Sequence, residues 1–192
     1  VRLAQAFVAV RHAGEVADAE AILKALTESH PEFEDAWSLY GSLKQARGDF
    51  AAAEEAFATA SKLNHFRLND RLGLVATLVE QGKHDEAGKE LEKLEQIIPD
   101  HPGVNYAQAR IMLEGGNVEG SLQELAKVMN VAPDHLPSIY LAANANFRDG
   151  NLATAESHLT RFLASQPRNI NARQMLAAVH LQMGEPERAE TL

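Results

Sequence analysis

Apolar residues recur along this chain at helical spacing, in short segments separated by reversals. Near the start they are Val1, Leu3, Phe7, Val8 and Val10; near the end they are Met175, Leu176, Val179, Leu181 and Met183. Steps of three and four residues place such positions on one face of a helix. The punctuation between segments is regular. Glycine stands at positions 14, 48, 82, 116, 150 and 184, a spacing of 34 residues without slippage. Pro31, Pro99, Pro133 and Pro167 each follow a glycine of the series by 17 residues, and His65 fills the remaining slot. A third series runs in phase with both: Ala19, Ala53, Ala87, Ser121, Ala155 and Ala189.

Each series has a mechanical reading. Glycine accepts a positive φ where a helix stops and the chain turns back. Proline lacks the N–H that would continue a helix and restricts the residue before it, so it marks the second reversal. The alanines sit one turn into each second helix, where a small side chain lets two helices approach. Gly41, Ala109, Ala143 and Ala177 hold the matching slot on the first helices, with Phe7 and Val75 in its place elsewhere. Gly41 and Ala53 are expected to meet at a close crossing. The period predicts first helices over 2–12, 34–46, 68–80, 102–114, 136–148 and 170–182. Second helices are predicted over 16–29, 50–63, 84–97, 118–131 and 152–165, with a stub from 186. Asp100 and Asp134 are expected to cap the helices that follow them. Gly88 and Gly120 fall inside second helices, at a cost of about 1 kcal/mol each relative to alanine.

Trp37, Tyr40, Gly41, Gly48, Ala53 and Phe57 carry the repeat most fully. A helix–turn–helix unit of 34 residues with these positions resembles the tetratricopeptide repeat, and the likeness covers the whole chain. It departs at Tyr40, where the family expects leucine. The resemblance implies an all-α solenoid, a right-handed superhelix of repeats over about 1–33, 34–67, 68–101, 102–135 and 136–169, with a partial repeat over 170–192. Val1 lies already inside an apolar segment and Leu192 lies just inside the helix that Pro186 begins. The chain therefore reads as a fragment of a longer array, with any targeting signal, lipobox or lipid anchor outside it. Both ends are expected to expose apolar strips and to promote end-to-end self-association.

Composition changes this picture little. The net charge is −9, from 27 acidic and 18 basic residues, and no Lys/Arg cluster gives the footprint of a nucleic-acid or anionic-membrane binder. Cysteine is absent, which excludes disulfides and thiolate metal sites. The eight histidines form no ligand motif, and no cofactor is expected. His101 and His135 occupy the same loop position in adjacent repeats and read as solvated residues beside the Asp caps. Glu54–Glu55 and Asp85–Glu86 are adjacent on helices and diverge by about 100°, so they read as solvated outer faces rather than acid pairs. Gly115–Gly116 lacks the strand and lysine of a phosphate loop. The chain is read as a non-enzyme.

A repeat array offers a concave face lined by its first helices. The resemblance places Asp35, Ser38, Ser42 and Gln45, then Asn69, Leu72, Ala76 and Glu80, on that face. No three consecutive repeats show the Lys/Asn/Arg set with which chaperone-binding members hold a peptide carboxylate. Tyr106, Arg110, Tyr140, Asn144 and Phe147 form the candidate protein- or peptide-binding patch, because Tyr106 with Tyr140 and Arg110 with Asn144 stand one repeat apart. Tyrosine and arginine concentrate binding energy at interfaces. Against this, Tyr140 and Phe147 also suit the gaps between helices.

Over residues 99–192, the run from Ala132 through Pro133, Asp134, His135 and Tyr140 to Ala143 is similar to the tetratricopeptide-repeat lipoproteins of bacterial PEP-CTERM/exosortase systems. So are the run from Gly150 to Leu163 and that from Arg173 to Ala178. That narrower resemblance implies a lipid-anchored scaffold in the periplasm or outer membrane, linked to exopolysaccharide and protein sorting. The reading is a non-enzymatic scaffold binding protein or peptide along its concave face. A cytoplasmic adaptor or co-chaperone, and the recognition region of a larger enzyme, are the alternatives.

Overall fold

The computed structural model describes residues 16–191. Among them the chain is entirely helical, and every helix begins and ends where the 34-residue period puts it. In chain order these are α1 (Val16–Ser29), α2 (Glu34–Ala46), α3 (Phe50–Leu63), α4 (Leu68–Glu80), α5 (His84–Ile97), α6 (Pro102–Glu114), α7 (Val118–Val131), α8 (Leu136–Arg148), α9 (Leu152–Ser165), α10 (Ile170–Gln182) and α11 (Pro186–Glu190). The helix expected over 2–12, with Phe7 and Gly14, lies outside the described residues. Two compact units divide the chain, Val1–Ile97 and Ile98–Leu192.

The glycine series does what its spacing requires. Gly48, Gly82, Gly116, Gly150 and Gly184 all have φ between 72° and 83°, the left-handed region that costs a side chain its Cβ clearance. In four of the turns, the residue after the glycine (Asp49, Asn117, Asn151 and Glu185) then takes the N-cap of the next helix. Asp49 accepts from Ala52 N–H at 3.4 Å and Asn117 from Gly120 N–H at 2.9 Å; Asn151 starts α9 without a side-chain cap bond. Gly120 is thereby explained, since a Cβ there would stand 2.6 Å from Asn117 Nδ2. The other reversal departs from expectation. The N-caps of α6 and α8 are His101 and His135, not Asp100 and Asp134. Asp100 is itself left-handed (φ 57°), whereas an N-cap needs extended backbone. Asp134 accepts instead from Arg161 at 2.8 Å.

In the first unit, α2, α3 and α4 close around one aromatic ring. Phe57 on α3 is 3 % exposed. A Cβ at Gly41 on α2 would lie 3.0 Å from its Cδ1, and a Cβ at Gly73 on α4 only 2.7 Å from its Cζ. The small slot at Gly41 is therefore real, and the Phe57 ring stands nearest to it. Gly73 is a second slot that the period did not reveal. Ala19, Leu23 and Leu43 form a neighbouring core with Ile22, Leu39 and Tyr40 packed on it. Trp37 Nε1 donates to the Pro31 carbonyl at 2.9 Å, fixing the α1–α2 turn to α2.

In the second unit the main core joins Ile139 and Ala143 of α8, Ala155, Leu159 and Phe162 of α9, and Ala172, Leu176 and Val179 of α10. A second cluster gathers Ala109, Leu125 and Ala142. The apolar strip expected to be bare at the chain's end is mostly covered. Leu176 is 6 % and Val179 0 % exposed, because both face α8 and α9, and only Leu181 (59 %) stands out. The apolar end expected at Val1 to Val10 lies outside the described residues.

Two glycines inside helices separate by sign. Gly73→Ala would gain about 1 kcal/mol of helix propensity, but its Cβ would press on a buried ring, and overpacking costs roughly 1–3 kcal/mol. Gly88, inside α5, has nothing within 4 Å of where a Cβ would stand. Urea unfolding should show Gly73→Ala destabilised and Gly88→Ala stabilised by roughly 0.5–1 kcal/mol. Two shifts of the same sign would show that Phe57 does not set the spacing of α2 and α4.

Candidate functional site

The five residues proposed from the sequence lie on α6 and α8 of the second unit, and these two first helices contact each other. All five are partly exposed, neither buried nor free of the core. Tyr106 leans on the Ala109–Leu125–Ala142 cluster and meets the His135 ring edge-on, with centroids 5.5 Å apart and planes at 85°. His135 is held in turn through Nδ1 to Ser138 Oγ at 2.7 Å. It is thus part of the packed surface beside Tyr106 and not a solvated loop histidine. His101 likewise works locally, its Nδ1 accepting from Gly103 N–H at 3.1 Å.

Tyr140 sits one repeat on from Tyr106 but packs differently. Its ring lies 5.1 Å from Phe162 of α9 at 44°, and burial pushes its phenol above the usual value. The difference follows from two substitutions between repeats. Where Tyr106 has His135 ahead of it, Tyr140 has Asn169; where Tyr140 has Phe162 behind it, Tyr106 has Val128. Phe147 packs on the same core as Tyr140. Its counterparts Val79 and Leu113 are 4 % and 2 % exposed, so this is a position that covers neighbouring helices. Arg110 lies 3.8 Å from Glu114 on its own helix and is 21 % exposed. Arg148, at the end of α8, donates to the Leu113 carbonyl of α6 at 3.0 Å. Asn144 lies between Tyr140 and Phe147 on α8, partly exposed. The result is a face of partly exposed aromatic rings with an arginine and an amide among them.

The first unit presents a polar seam that sequence reasoning did not find. Between α2 and α4, the Ser38 hydroxyl donates to Asp70 Oδ1, and Gln45 Nε2 donates to Thr77 Oγ1 at 3.2 Å. Arg67 pairs with Asp35 and, at 2.8 Å, with Glu34. Asp70 is 1 % exposed, its Oδ2 has no hydrogen-bond partner, and Arg67 Nε stands 3.6 Å away. Burial raises the Asp70 carboxyl above its ordinary value; the Ser38 bond and Arg67 oppose this without cancelling it. Glu54 also departs from the solvated reading. It accepts from Lys83 at 2.6 Å and from Gln81 at 2.7 Å, which holds its carboxyl below the usual range. Glu55, Asp85 and Glu86 are at least partly exposed, as expected. The signal for the seam was a spacing of 32 residues, linking 35 to 67, 38 to 70 and 45 to 77, which is two short of the repeat and so invisible to a search for identical positions.

Among the described residues, no group of three His, Cys, Asp or Glu side chains is arranged to hold a metal ion. No described helix is long and apolar enough to cross a membrane.

Comparison with known proteins agrees with the helical repeat. Two family models described as tetratricopeptide repeat match the chain, one over residues 78–144 and 146–192, the other over 3–61 and 41–102. No curated protein matches the sequence. Among solved structures, a chain of the APC/C hetero-tetramer Cut9–Hcn1 aligns with TM-score 0.85 at 15 % identity, over 93 % of this chain and 36 % of that one. The human IFIT1 dimer with m7Gppp-AAAA aligns with TM-score 0.84 at 16 % identity, over 99 % of this chain and 48 % of that one. PilW, a widely conserved type IV pilus biogenesis factor, aligns with TM-score 0.82 at 15 % identity, over 99 % and 88 %. At these identities the likeness is one of fold. The chain spans about a third to a half of the first two, and none of the three carries the narrower PEP-CTERM/exosortase resemblance.

The Asp70 carboxyl supplies a pH test. A raised folded value means that the native state holds its proton more tightly than the unfolded chain does. Stability from this site is therefore fully present below the ordinary Asp value of about 3.9 and is lost as pH rises through the folded value. Asp70→Asn removes that dependence. Urea unfolding of both proteins across the acid range should show the wild type gaining on the variant as pH falls. A difference that stays constant with pH would mean that Asp70 is not perturbed.

Proposed function

The chain belongs to the tetratricopeptide-repeat family, and from that premise we propose that it is a non-enzymatic scaffold which binds a protein or extended peptide across α6 and α8. The carrying observation is the partial exposure of Tyr106, Arg110, Tyr140, Asn144 and Phe147 on two contacting first helices. Rings already held by His135 and Phe162 lose little freedom on binding, and such preorganised aromatic area gives affinity at low entropic cost. Arg110 and Asn144 add directional donors among the rings. We place the repeats over about 1–33, 34–67, 68–101, 102–135, 136–169 and 170–192.

The bacterial envelope is the setting we favour. It is supported by the resemblance of residues 99–192 to the exosortase-linked lipoproteins and by the shared fold of PilW, itself a pilus biogenesis factor. The net charge of −9 argues against a polyanionic partner such as the capped RNA of the IFIT1 complex.

A photo-crosslinking residue at position 144, in the full-length protein inside cells, tests the face directly. It should trap a discrete protein that the same group at Gln123, on the exposed side of α7, does not. Arg110→Glu should abolish that product while leaving the melting temperature in place. Equal labelling from positions 144 and 123, or a product indifferent to Arg110→Glu, would overturn the assignment.

A further inference from the structure

A cleft of about 510 Å3 opens in the first unit among α3, α4 and α5. Ala58, Ser61, Lys62, His65, Arg71, Leu74, Glu90, Lys93, Gln96 and Ile97 line it. In a chain of net charge −9, this lining holds three permanent cations against one carboxylate.

Lys93 is paired internally, but Arg71 is not closely engaged. Arg71 is only 11 % exposed, and Glu90 lies 3.6 Å from its Nη2, too far for a hydrogen bond. Glu90 is meanwhile engaged by Lys93 at 2.5 Å. A guanidinium with five donors whose carboxylate lies beyond hydrogen-bond distance keeps donors available to the cleft. Beside it, Ser61 Oγ is buried with no hydrogen-bond partner. Lys62 is exposed at the cleft's rim. An arginine with donors available, an unmet hydroxyl and a rim lysine together describe a receptor for an anionic oxygen.

The remaining lining is apolar. Leu74 and Ala58 form wall, and Ile97 is 60 % exposed at the mouth. The loop after α3 adds Phe66, next to His65 and 94 % exposed. At that loop position the other repeats carry Glu32, Asp100, Asp134 and Arg168, all charged. Phe66 thus breaks the pattern of its own repeat, and an exposed phenylalanine beside a cationic cleft extends an apolar contact surface.

We propose that this cleft docks an acidic peptide segment, with a side-chain carboxylate seated against Arg71, Lys62 and the Ser61 hydroxyl and a neighbouring apolar side chain on Ile97. The volume exceeds what one inorganic anion fills, and the apolar wall suits a residue rather than a bare ion. A nucleic acid would bring a long polyanion against a strongly acidic protein, whereas a short acidic segment meets only the local positive field. This site lies among α3, α4 and α5 of the first unit, apart from the aromatic face on α6 and α8, and it stands or fails independently of that face.

Fluorescence anisotropy with a fluorescein-labelled peptide of sequence Asp-Glu-Leu-Asp-Leu tests it on the purified chain. The wild type should bind saturably, and the Lys-Lys-Leu-Lys-Leu peptide should not. Lys62→Glu and Lys93→Glu, both at exposed positions, should each weaken binding by about tenfold or more, the scale of losing a charged contact. Arg71→Gln should weaken it further; since that side chain is nearly buried, circular dichroism confirms folding, and the two lysine variants decide the matter if it unfolds. Gln123→Ala, on the exposed side of α7 in the other unit, should bind as wild type does. Absence of saturable binding, or lysine variants that bind unchanged, would overturn the site. So would inorganic phosphate binding as tightly as the peptide, which would make this a small-anion pocket, or a labelled oligothymidine binding more tightly.

Discussion

No helix described in this chain exceeds 14 residues, and isolated helices of that length are marginal in water. Each must bury its apolar face on its neighbours, and within each unit the contacts run between helices adjacent in sequence or one removed. That constraint governs the rest. It makes stability a sum over neighbouring pairs, it demands a sharp reversal about every 17 residues, and it forces small side chains or glycines wherever a large ring must pass between helices. Phe57 shows the demand most directly, because its ring fits only while positions 41 and 73 lack a Cβ.

The architecture was legible because the turn chemistry repeats in phase. Left-handed glycines and the prolines opposite them mark where helices end, and the one reversal without a proline, at His65, keeps the same period. The caps were less legible. Asp100 and Asp134 look like N-caps by residue type, but the cap position falls one residue later, and the backbone of Asp100 is spent on the turn itself. Residue preference names candidates; only φ and ψ decide which candidate is extended enough to cap.

The candidate sites were legible in proportion to how closely they follow the repeat. Tyr106 and Tyr140 were found because they share a position. What each ring packs on was not, because that depends on His135 and Phe162, which their own repeats do not share. Asp35, Ser38 and Gln45 were placed on the concave face, but their pairing across the α2–α4 seam escaped, as did the α3–α4–α5 cleft. The seam's partners stand 32 residues apart rather than 34, and the informative facts about Asp70 and Ser61 are unmet hydrogen bonds, which residue identity does not encode.

The two units therefore differ in chemistry while sharing a scaffold. In the second, variation of the repeat is aromatic and is absorbed into packing, so the exposed part of each ring is held rigidly by its buried part. In the first, the α2–α4 seam is ionic, and both units leave residual polar demand, at Asp70 Oδ2 and Ser61 Oγ in one and at Ser121 Oγ and Glu124 Oε2 in the other. A nearest-neighbour architecture tolerates both, because a cost incurred at one pair of helices is not transmitted to the whole fold. Such a chain can hold a strained polar site in one repeat while another provides stability. That separation lets functional residues depart from the repeat without unfolding it, and it is why the departures, rather than the consensus positions, are the places to look for binding.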